Sequence, residues 1–170
     1  MFTRTKRRAN RLAEQLAQGR IKADAIHGNK NQSARERALE GFHSGRIRVL
    51  VATDIAARGI DVDDISHVIN FELPNDPESY VHRIGRTARM GKEGVAISFC
   101  DASEGGFLRD IEKLLQQSIP VMSGHPYHCP AAAAAPLTSL GNTGGRRTRS
   151  GGMAYGNFRR GRNPFRSRRS

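Results

Sequence analysis

The sequence lacks the features that mark secreted, disulfide-linked or membrane proteins. It contains two cysteines, Cys100 and Cys129, and no signal-peptide pattern at its start, as expected for a reducing compartment. It has no apolar run long enough to cross a bilayer and no amphipathic basic helix that would lie on one. We therefore predict a cytoplasmic protein without a membrane partner.

Two kinds of ligand-holding motif are also missing. No Gly-x-x-x-x-Gly-Lys-Ser/Thr loop occurs anywhere in the chain, so the usual cradle for nucleotide phosphates is absent. The segment from His125 to Cys129 holds three potential metal ligands within five residues, beside two prolines. That spacing matches no common zinc motif, and we predict no metal site.

Negative charge is missing from the last part of the chain. Residues 1–120 carry 19 Lys and Arg against 16 Asp and Glu, whereas residues 121–170 carry nine arginines and neither lysine nor acid. This asymmetry indicates a polyanionic partner, above all nucleic acid. Because residues 146–170 are rich in Arg and Gly, they can bury little apolar surface, and we predict a disordered tail. Its arginines and spaced aromatics can stack on unpaired bases, with a purely solubilising tail as the alternative.

The spacing of apolar residues predicts alternating strands and helices over residues 1–118. Predicted helices cover 6–18, 33–43 (capped by Ser33), 77–89 and 106–117, and predicted strands cover 23–26, 49–52, 67–71 and 95–99. This alternation favours an α/β fold with a parallel sheet covered on both faces. Residues 119–145 are predicted to be a low-complexity linker.

The most informative stretch runs from Tyr80 to Arg89. Arg86 and Arg89 are three residues apart, a spacing that places two side chains on one face of a helix. Neighbouring guanidinium groups with no carboxylate between them suit a polyphosphate. Stabilising charge on a transferred phosphoryl group is the usual task of such arginines. The alternative is a solvated basic helix face.

Four segments together resemble the DEAD-box RNA helicases. HRIGRTAR (82–89) resembles motif VI of that family, ATDIAARGID (52–61) motif V, HGNKNQSAR (27–35) its HG…QxxR element, and FTRT (2–5) the end of motif IV. The amino-acid sequence of residues 27–39 is most similar to that of the bacterial RhlE-like branch. The resemblance implies a RecA-like helicase C-terminal domain over residues 1–118, with a first strand that is truncated before Phe2.

The resemblance also implies that this chain contains only the second of the two RecA-like domains of a helicase. Family members carry the phosphate loop and an Asp-Glu-Ala-Asp string for magnesium on a first RecA-like domain, and this chain has neither. ATP and Mg²⁺ are therefore expected only when such a domain completes the site, so the chain alone is expected to be inactive. A non-enzymatic RNA-binding fragment and a DNA helicase are the alternatives, although the wording of residues 57–61 favours RNA.

Matching the motifs position by position implies a first set of residues, which faces ATP. The set comprises the arginine fingers Arg86 and Arg89, His82 near the metal site of the partner domain, Asp61 at the ribose, and Arg58 with Gly59 beside the nucleotide. His82 has an alternative role as an ordinary helix-surface histidine. Asp61 could instead cap a loop, and Arg58 could form a plain surface ion pair.

A second set would hold RNA through phosphates and sugars, and hence without reading sequence. This set comprises Thr53, Gly28, Gln32, Arg35, Thr3 and Arg4, together with Arg159 and Arg160 in the tail. Gly28 would let a phosphate approach the backbone closely. Arg35 could instead pair with Glu36 or Glu40 on the helix surface.

One position departs from the family pattern. Ala88 stands where the family usually has glycine. Alanine favours a helix over glycine by about 1 kcal/mol. We therefore expect Arg89 to keep its direction.

Overall fold

Helices and parallel strands alternate through residues 1–57, 65–88, 93–127 and 129–130, which a computed structural model describes. The strands are β1 (Ala23–Ile26), β2 (Val49–Ala52), β3 (His67–Asn70) and β4 (Val95–Ser98); the helices are α1 (Lys6–Gln18), α2 (Gln32–His43), α3 (Asp54–Ala57), α4 (Pro77–Ile84) and α5 (Gly105–Leu115), with a 3₁₀ turn at Ala102–Glu104. The predicted α/β class with parallel strands is confirmed.

Phe2 joins two pairs of strands into one surface. β1 pairs with β2 and β3 pairs with β4, both in parallel. Between these pairs, Phe2 forms parallel bridges to Ala52 on one side and to Asn70 on the other. Its N–H donates to the carbonyl of Ile69 at 2.8 Å, and its carbonyl accepts from the N–H of Phe71 at 3.0 Å. A cavity of about 470 Å³ lies next to Phe2 and Met1, between β2 and β3.

Alternation of side chains along β1 and β2 explains why both faces are covered. Successive strand residues point to opposite faces, so Ala25 packs beneath α1 with Leu12. Ile26, the next residue, packs on the other side near Phe42 of α2. Both layers therefore exclude water from the strands that carry the first half of the sheet.

A separate apolar cluster supports the second half. Leu73 and Tyr80 are buried against Ile111 of α5, which brings α4 and α5 together beside β3. None of the helices in the described ranges combines the length and apolar composition of a membrane span.

α5 begins one residue earlier than predicted, and β3 and β4 each end one residue earlier. Two further helix ends differ from the predictions for reasons that the structure shows. α2 is capped by Asn31, whose side chain accepts from the N–H of Ala34 at 2.9 Å, and Ser33 lies inside the helix. Asn31 precedes Ser33 and caps equally well, so the helix begins one residue earlier than predicted. α5 ends at Leu115 because Gln116 adopts a left-handed conformation with φ of 55°.

The third difference concerns α4, which ends at Ile84, five residues before the predicted end at Arg89. Gly85 follows as the C-terminal cap, and Thr87 then pairs with Ile65 as an isolated parallel bridge. The hydroxyl of Thr87 also donates to the carbonyl of Ile65. Extended pairing of this kind is incompatible with helical backbone, so the periodicity of residues 80–89 was a misleading signal.

A charged cluster fixes the first residues of the chain to the helical layer. Glu72 is nearly buried, and its carboxylate accepts from the backbone N–H of Arg4 at 3.0 Å and pairs with Arg8 at 2.7 Å. Arg4 also pairs with Glu104 at 2.8 Å. Burial raises the pKa of Glu104, partly offset by the N–H of Asp101 and the charge of Arg4.

We expect Phe2→Ala to lower the free energy of unfolding by about 3–5 kcal/mol, because it removes a buried ring from the seam between β2 and β3. Chemical denaturation followed by circular dichroism measures this change. Phe99→Ala is the matched control, since Phe99 is 53% exposed. Comparable losses in the two variants would show that the seam adds no special stability.

Candidate functional site

Arg83 lies at the centre of the polar groups that gather at the carboxyl ends of β2 and β3. Its side chain is 2% exposed. The guanidinium makes a two-pronged contact with Asp54, with Nε–Oδ1 at 2.5 Å and Nη2–Oδ2 at 2.8 Å. Nη1 donates to Asn70 Oδ1 at 3.1 Å and to the carbonyl of Glu72 at 2.8 Å. The group also lies 5.2 Å from the centre of the Phe2 ring.

These acceptors compensate the positive charge of Arg83, which would otherwise be costly to bury. A guanidinium offers five N–H donors in a fixed fork, and here two pairs of acceptors meet it. Removing one partner of a buried ion pair typically costs about 3–5 kcal/mol, because the other charge is left uncompensated. Arg83 therefore holds the end of β2 to the end of β3.

Sequence reasoning missed Arg83 and Asp54 as members of the site. Both lie within the segments that resemble motifs V and VI, but the resemblance assigned roles only to their neighbours. A usable signal existed, because Tyr80 and Arg83 share the buried face of α4 at a spacing of three residues.

A cleft opens directly above this ion pair. It is lined by Phe2, Asp54, Ala57, Ser79, His82, Arg83 and Arg86. His82 is exposed in the last turn of α4, and Arg86 is partly buried just beyond the helix. His82 and Arg86 therefore share one cleft, but Arg86 lies beyond the end of α4 and so is not on the helix face that was predicted for it.

Ala88 occupies a backbone conformation that the sequence did not reveal. Its φ is +56°, in the left-handed region, whereas we expected alanine to favour helix there. A side chain at positive φ costs roughly 1–2 kcal/mol, a penalty that glycine avoids. Gly94 packs so closely against Thr87 and the N–H of Ala88 that an added Cβ would collide with both. The turn after α4 is thus held by Gly94 on one side and by the pairing of Thr87 with Ile65 on the other.

The loop after β1 is the second exposed polar region. The side chain of His27 is almost buried, while Gly28 and Asn29 are exposed. Asn29 N–H donates to His27 Nδ1 at 3.3 Å, and His27 Nε2 lies 2.8 Å from Asn10 Oδ1. Burial lowers the pKa of His27, as do the charges of Lys30 and Lys6. A neutral imidazole is therefore the stable form at pH 7.

Gly28 has no structural reason to be glycine within this fold. A Cβ built there meets no atom within 4 Å, and its φ is not in the left-handed region. The backbone at Gly28 consequently faces open space. That is the geometry expected where an external group must come close to the chain.

The remaining predicted RNA contacts of the domain lie on nearby elements. Thr53 follows β2 and is nearly buried, with its carbonyl accepting from Ala57 N–H at 3.0 Å. Gln32 is exposed in the first turn of α2 and Arg35 is partly buried there. Gln32 donates to Glu36 at 2.8 Å, and Arg46 pairs with Glu40 at 3.4 Å. Both carboxylates that we considered for Arg35 thus have other partners.

Two residues that were predicted to bind RNA instead make their contacts within the protein. Thr3 has no exposed surface, and its hydroxyl donates to the carbonyl of Thr5 at 3.3 Å. Arg4 is held by Glu72 and Glu104 and lies 5.5 Å from the ring centre of Phe107. In this conformation Thr3 cannot reach RNA, and the guanidinium of Arg4 is committed to the charged cluster.

Several predicted site residues lie outside the described residues. They are Arg58, Gly59, Asp61, Arg89, Arg159 and Arg160. In the ranges that are described, no three His, Cys, Asp or Glu side chains are grouped so as to hold a metal ion. Cys100 and Cys129 are both free thiols.

Comparison with known proteins identifies the domain. Residues 1–91 match the family model described as the helicase conserved C-terminal domain. The chain belongs to that family. Its relatives are DEAD-box proteins, so the described fold is a RecA-like helicase C-terminal domain of the DEAD-box type.

Individual relatives support this assignment. The chain is 51% identical over 113 residues to the ATP-dependent RNA helicase CshA of Listeria monocytogenes, an alignment that covers 66% of this chain and 22% of that protein. A crystal structure of the E. coli DEAD-box protein SrmB, bound to the regulator of ribonuclease activity A, matches with a TM-score of 0.67 and 41% identity, over 71% of this chain and 72% of that one. A DEAD box protein from Methanococcus jannaschii matches with a TM-score of 0.66 and 49% identity, over 69% and 32%.

Two consequences follow for the predictions. The chain spans about a fifth to a quarter of the length of its curated relatives. Their names are those of CshA helicases, and the RhlE-like branch that we predicted from residues 27–39 is not confirmed.

In this helicase domain we expect Ala88→Gly to raise the free energy of unfolding by up to about 1 kcal/mol, because glycine tolerates positive φ. Thermal or chemical unfolding measures it. The control is Ala17→Gly in the exposed part of α1, where glycine should cost about 1 kcal/mol. If both substitutions destabilise to the same degree, Ala88 is not strained.

Proposed function

We propose that this chain supplies the second half of an ATP-dependent RNA helicase. In this proposal a first RecA-like domain holds ATP and Mg²⁺, and the chain completes the site from the opposite wall. The observation that carries it is the cleft above the Arg83–Asp54 pair, where His82 and Arg86 are held together by a fixed scaffold. The names of the relatives, which are ATP-dependent RNA helicases, support the same reaction.

The nucleotide side of the proposal rests on the arginines. Arg86 and Arg89 act as arginine fingers on the γ-phosphate, and His82 contacts the partner domain near its metal. Asp61 meets the ribose, with Arg58 and Gly59 beside it. Support comes from the partly buried position of Arg86 at the cleft, because a preorganised guanidinium stabilises developing charge without reorganising during the reaction.

The RNA side of the proposal rests on a different edge of the domain. Gly28, Thr53, Gln32 and Arg35 contact the phosphates and sugars of a single strand, without reading its sequence. Support comes from the open space before Gly28 and from the partial exposure of Arg35. Thr3 and Arg4 contribute by holding the framework, because their polar groups are already engaged.

The tail and the location complete the proposal. Residues 146–170, with Arg159 and Arg160, add affinity for RNA through charge and stacking. We place the protein in the cytoplasm, on the strength of its two free cysteines. We also retain an RhlE-like branch as a proposal, supported by the wording of residues 27–39. We also propose a linker at residues 119–145 and a separate tail at residues 146–170, as predicted from the sequence.

The first test concerns Arg86. The chain alone should show no RNA-stimulated ATPase activity, and adding the first RecA-like domain of a CshA helicase should restore it. Arg86→Ala should then lower turnover by roughly 10³-fold or more, with little change in nucleotide affinity, since the guanidinium acts mainly in the transition state. Steady-state ATPase assays and nucleotide titrations measure the two quantities.

The control for this test is Arg37→Ala, which removes the same charge from an exposed position on α2. It should leave turnover near the unmodified level. Unchanged turnover in the Arg86→Ala complex would refute the finger assignment. Hydrolysis by the chain alone, above a contaminant control, would refute the need for a first domain. Binding of RNA with no hydrolysis in any complex would favour the non-enzymatic alternative.

The second test concerns the tail. Deleting residues 141–170 removes nine arginines and should weaken RNA binding steeply. Each phosphate that is no longer neutralised should reduce the salt dependence, by a slope of about 0.7 on single strands. Fluorescence anisotropy with oligouridine at several salt concentrations measures both affinity and slope.

A matched variant separates charge from stacking. Replacing Tyr155, Phe158 and Phe165 by alanine keeps every arginine, so the salt slope should stay while the affinity falls. Equal affinity and equal slope for the full and shortened chains would mean that the tail only solubilises the protein.

A further inference from the structure

His27 is buried at the base of the loop that presents Gly28, and it contacts two other segments. Its ring nitrogens face Asn29 in the loop itself and Asn10 on α1. The carbonyl of His27 also accepts from Lys30 N–H at 3.0 Å, which closes a turn around Gly28. His27 therefore links the loop to α1 and closes the turn around Gly28.

These contacts fix the position of the proton on the ring. Asn29 N–H donates to Nδ1, so Nδ1 must carry a lone pair. A neutral imidazole then carries its proton on Nε2, and Nε2–H donates to Asn10 Oδ1 at 2.8 Å. The opposite tautomer would place two N–H groups against each other at Nδ1, and so would the protonated ring.

Charged groups around the ring act in the same direction. Lys6 of α1 donates to Asn29 Oδ1 at 3.0 Å, and Lys30 donates to Asp24 of β1 at 2.7 Å. Both ammonium groups oppose a third positive charge at His27, and the carboxylate of Asp24 is engaged by Lys30. The loop thus gathers positive charge around a neutral ring, which suits an approaching phosphate.

We propose that His27 is a positioning residue for RNA, which holds the Gly28 backbone in its phosphate-contacting shape by accepting from Asn29. Its donation to Asn10 keeps the ring proton on Nε2 and so leaves Nδ1 able to accept. The proposal rests on the RNA face assigned above. It predicts that the proton on the ring, rather than the size of the side chain, controls binding at this loop. Protonation of Nδ1 would release Asn29 and let the turn open.

Two substitutions separate the two ring contacts. His27→Asn places its amide oxygen near the position of Nδ1, so it keeps an acceptor for Asn29. His27→Gln places its amide nitrogen near Nε2, so it keeps the donor toward Asn10 and loses that acceptor. His27→Asn should stay close to the unmodified affinity at the loop, and His27→Gln should be roughly three- to tenfold weaker, the cost of one hydrogen bond.

Asn10→Asp provides a third variant at an exposed position. A carboxylate next to Nε2 favours the protonated ring. The loop should then lose RNA at a higher pH than in the unmodified chain. His43→Asn, which removes an exposed histidine from the end of α2, is the control and should change nothing.

The experiment is a titration of the ¹⁵N-labelled full chain with oligouridine of about ten nucleotides, long enough for a single-strand site. The amide signals of Gly28 and Thr53 are followed from about pH 7 down to about pH 4, because the ordinary histidine pKa is about 6.5 and burial lowers that of His27. Arginines in the tail stay charged throughout, so RNA remains attached and the loop is observed separately. Thermal unfolding of each variant checks that the domain stays folded.

The outcomes are distinct. Weaker loop binding in His27→Gln than in His27→Asn, with an upward shift of the pH midpoint in Asn10→Asp, supports the proposal. Equal loop binding in His27→Gln and the unmodified chain overturns it, and so does a midpoint that Asn10→Asp leaves unmoved. If neither Gly28 nor Thr53 responds to RNA in the unmodified chain, the RNA face itself is wrong and the role of His27 falls with it.

Discussion

The ion pair between the buried guanidinium of Arg83 and the partly exposed carboxylate of Asp54 is the interaction on which the rest of this domain depends. A guanidinium withdrawn from water must find partners for its donors, and here they come from the ends of two different strands. The same contact brings together the short helix after β2 and the longer helix after β3. A lysine could not take this place, because it has neither the planar fork nor the reach to both strands.

Residues of the HRIGRTAR segment have different roles in this arrangement. The guanidinium of Arg83 is buried and bonded within the protein, while His82 and Arg86 line the cleft. Adjacent positions in one motif thus serve opposite purposes. The inward residue sets the position of the outward ones, since all three are attached to the same helix or to the turn that follows it.

The sequence predicted the fold well, but it did not predict which side chains of the motifs the fold would bury. Periodicity gave α1, β1 and β2 with the bounds observed, because their apolar residues alternate or recur without interruption. It failed at the end of α4, where pairing of Thr87 with Ile65 overrides helical spacing. It also could not show that Arg4 is committed to Glu72 and Glu104, since that cluster joins segments far apart in the chain. Motif matching finds which residues recur together, but only packing shows which of them are left exposed.

The position of Phe2 has a consequence for how the chain folds. β1, α2 and β2 form one local unit, and β3, α4 and β4 form another, so each can assemble from segments close in sequence. Phe2 must then return from the start of the chain and insert between them. Closing such long loops is entropically slow compared with forming local contacts. The two units are therefore expected to form as separate cooperative segments before Phe2 and the Arg83–Asp54 pair join them.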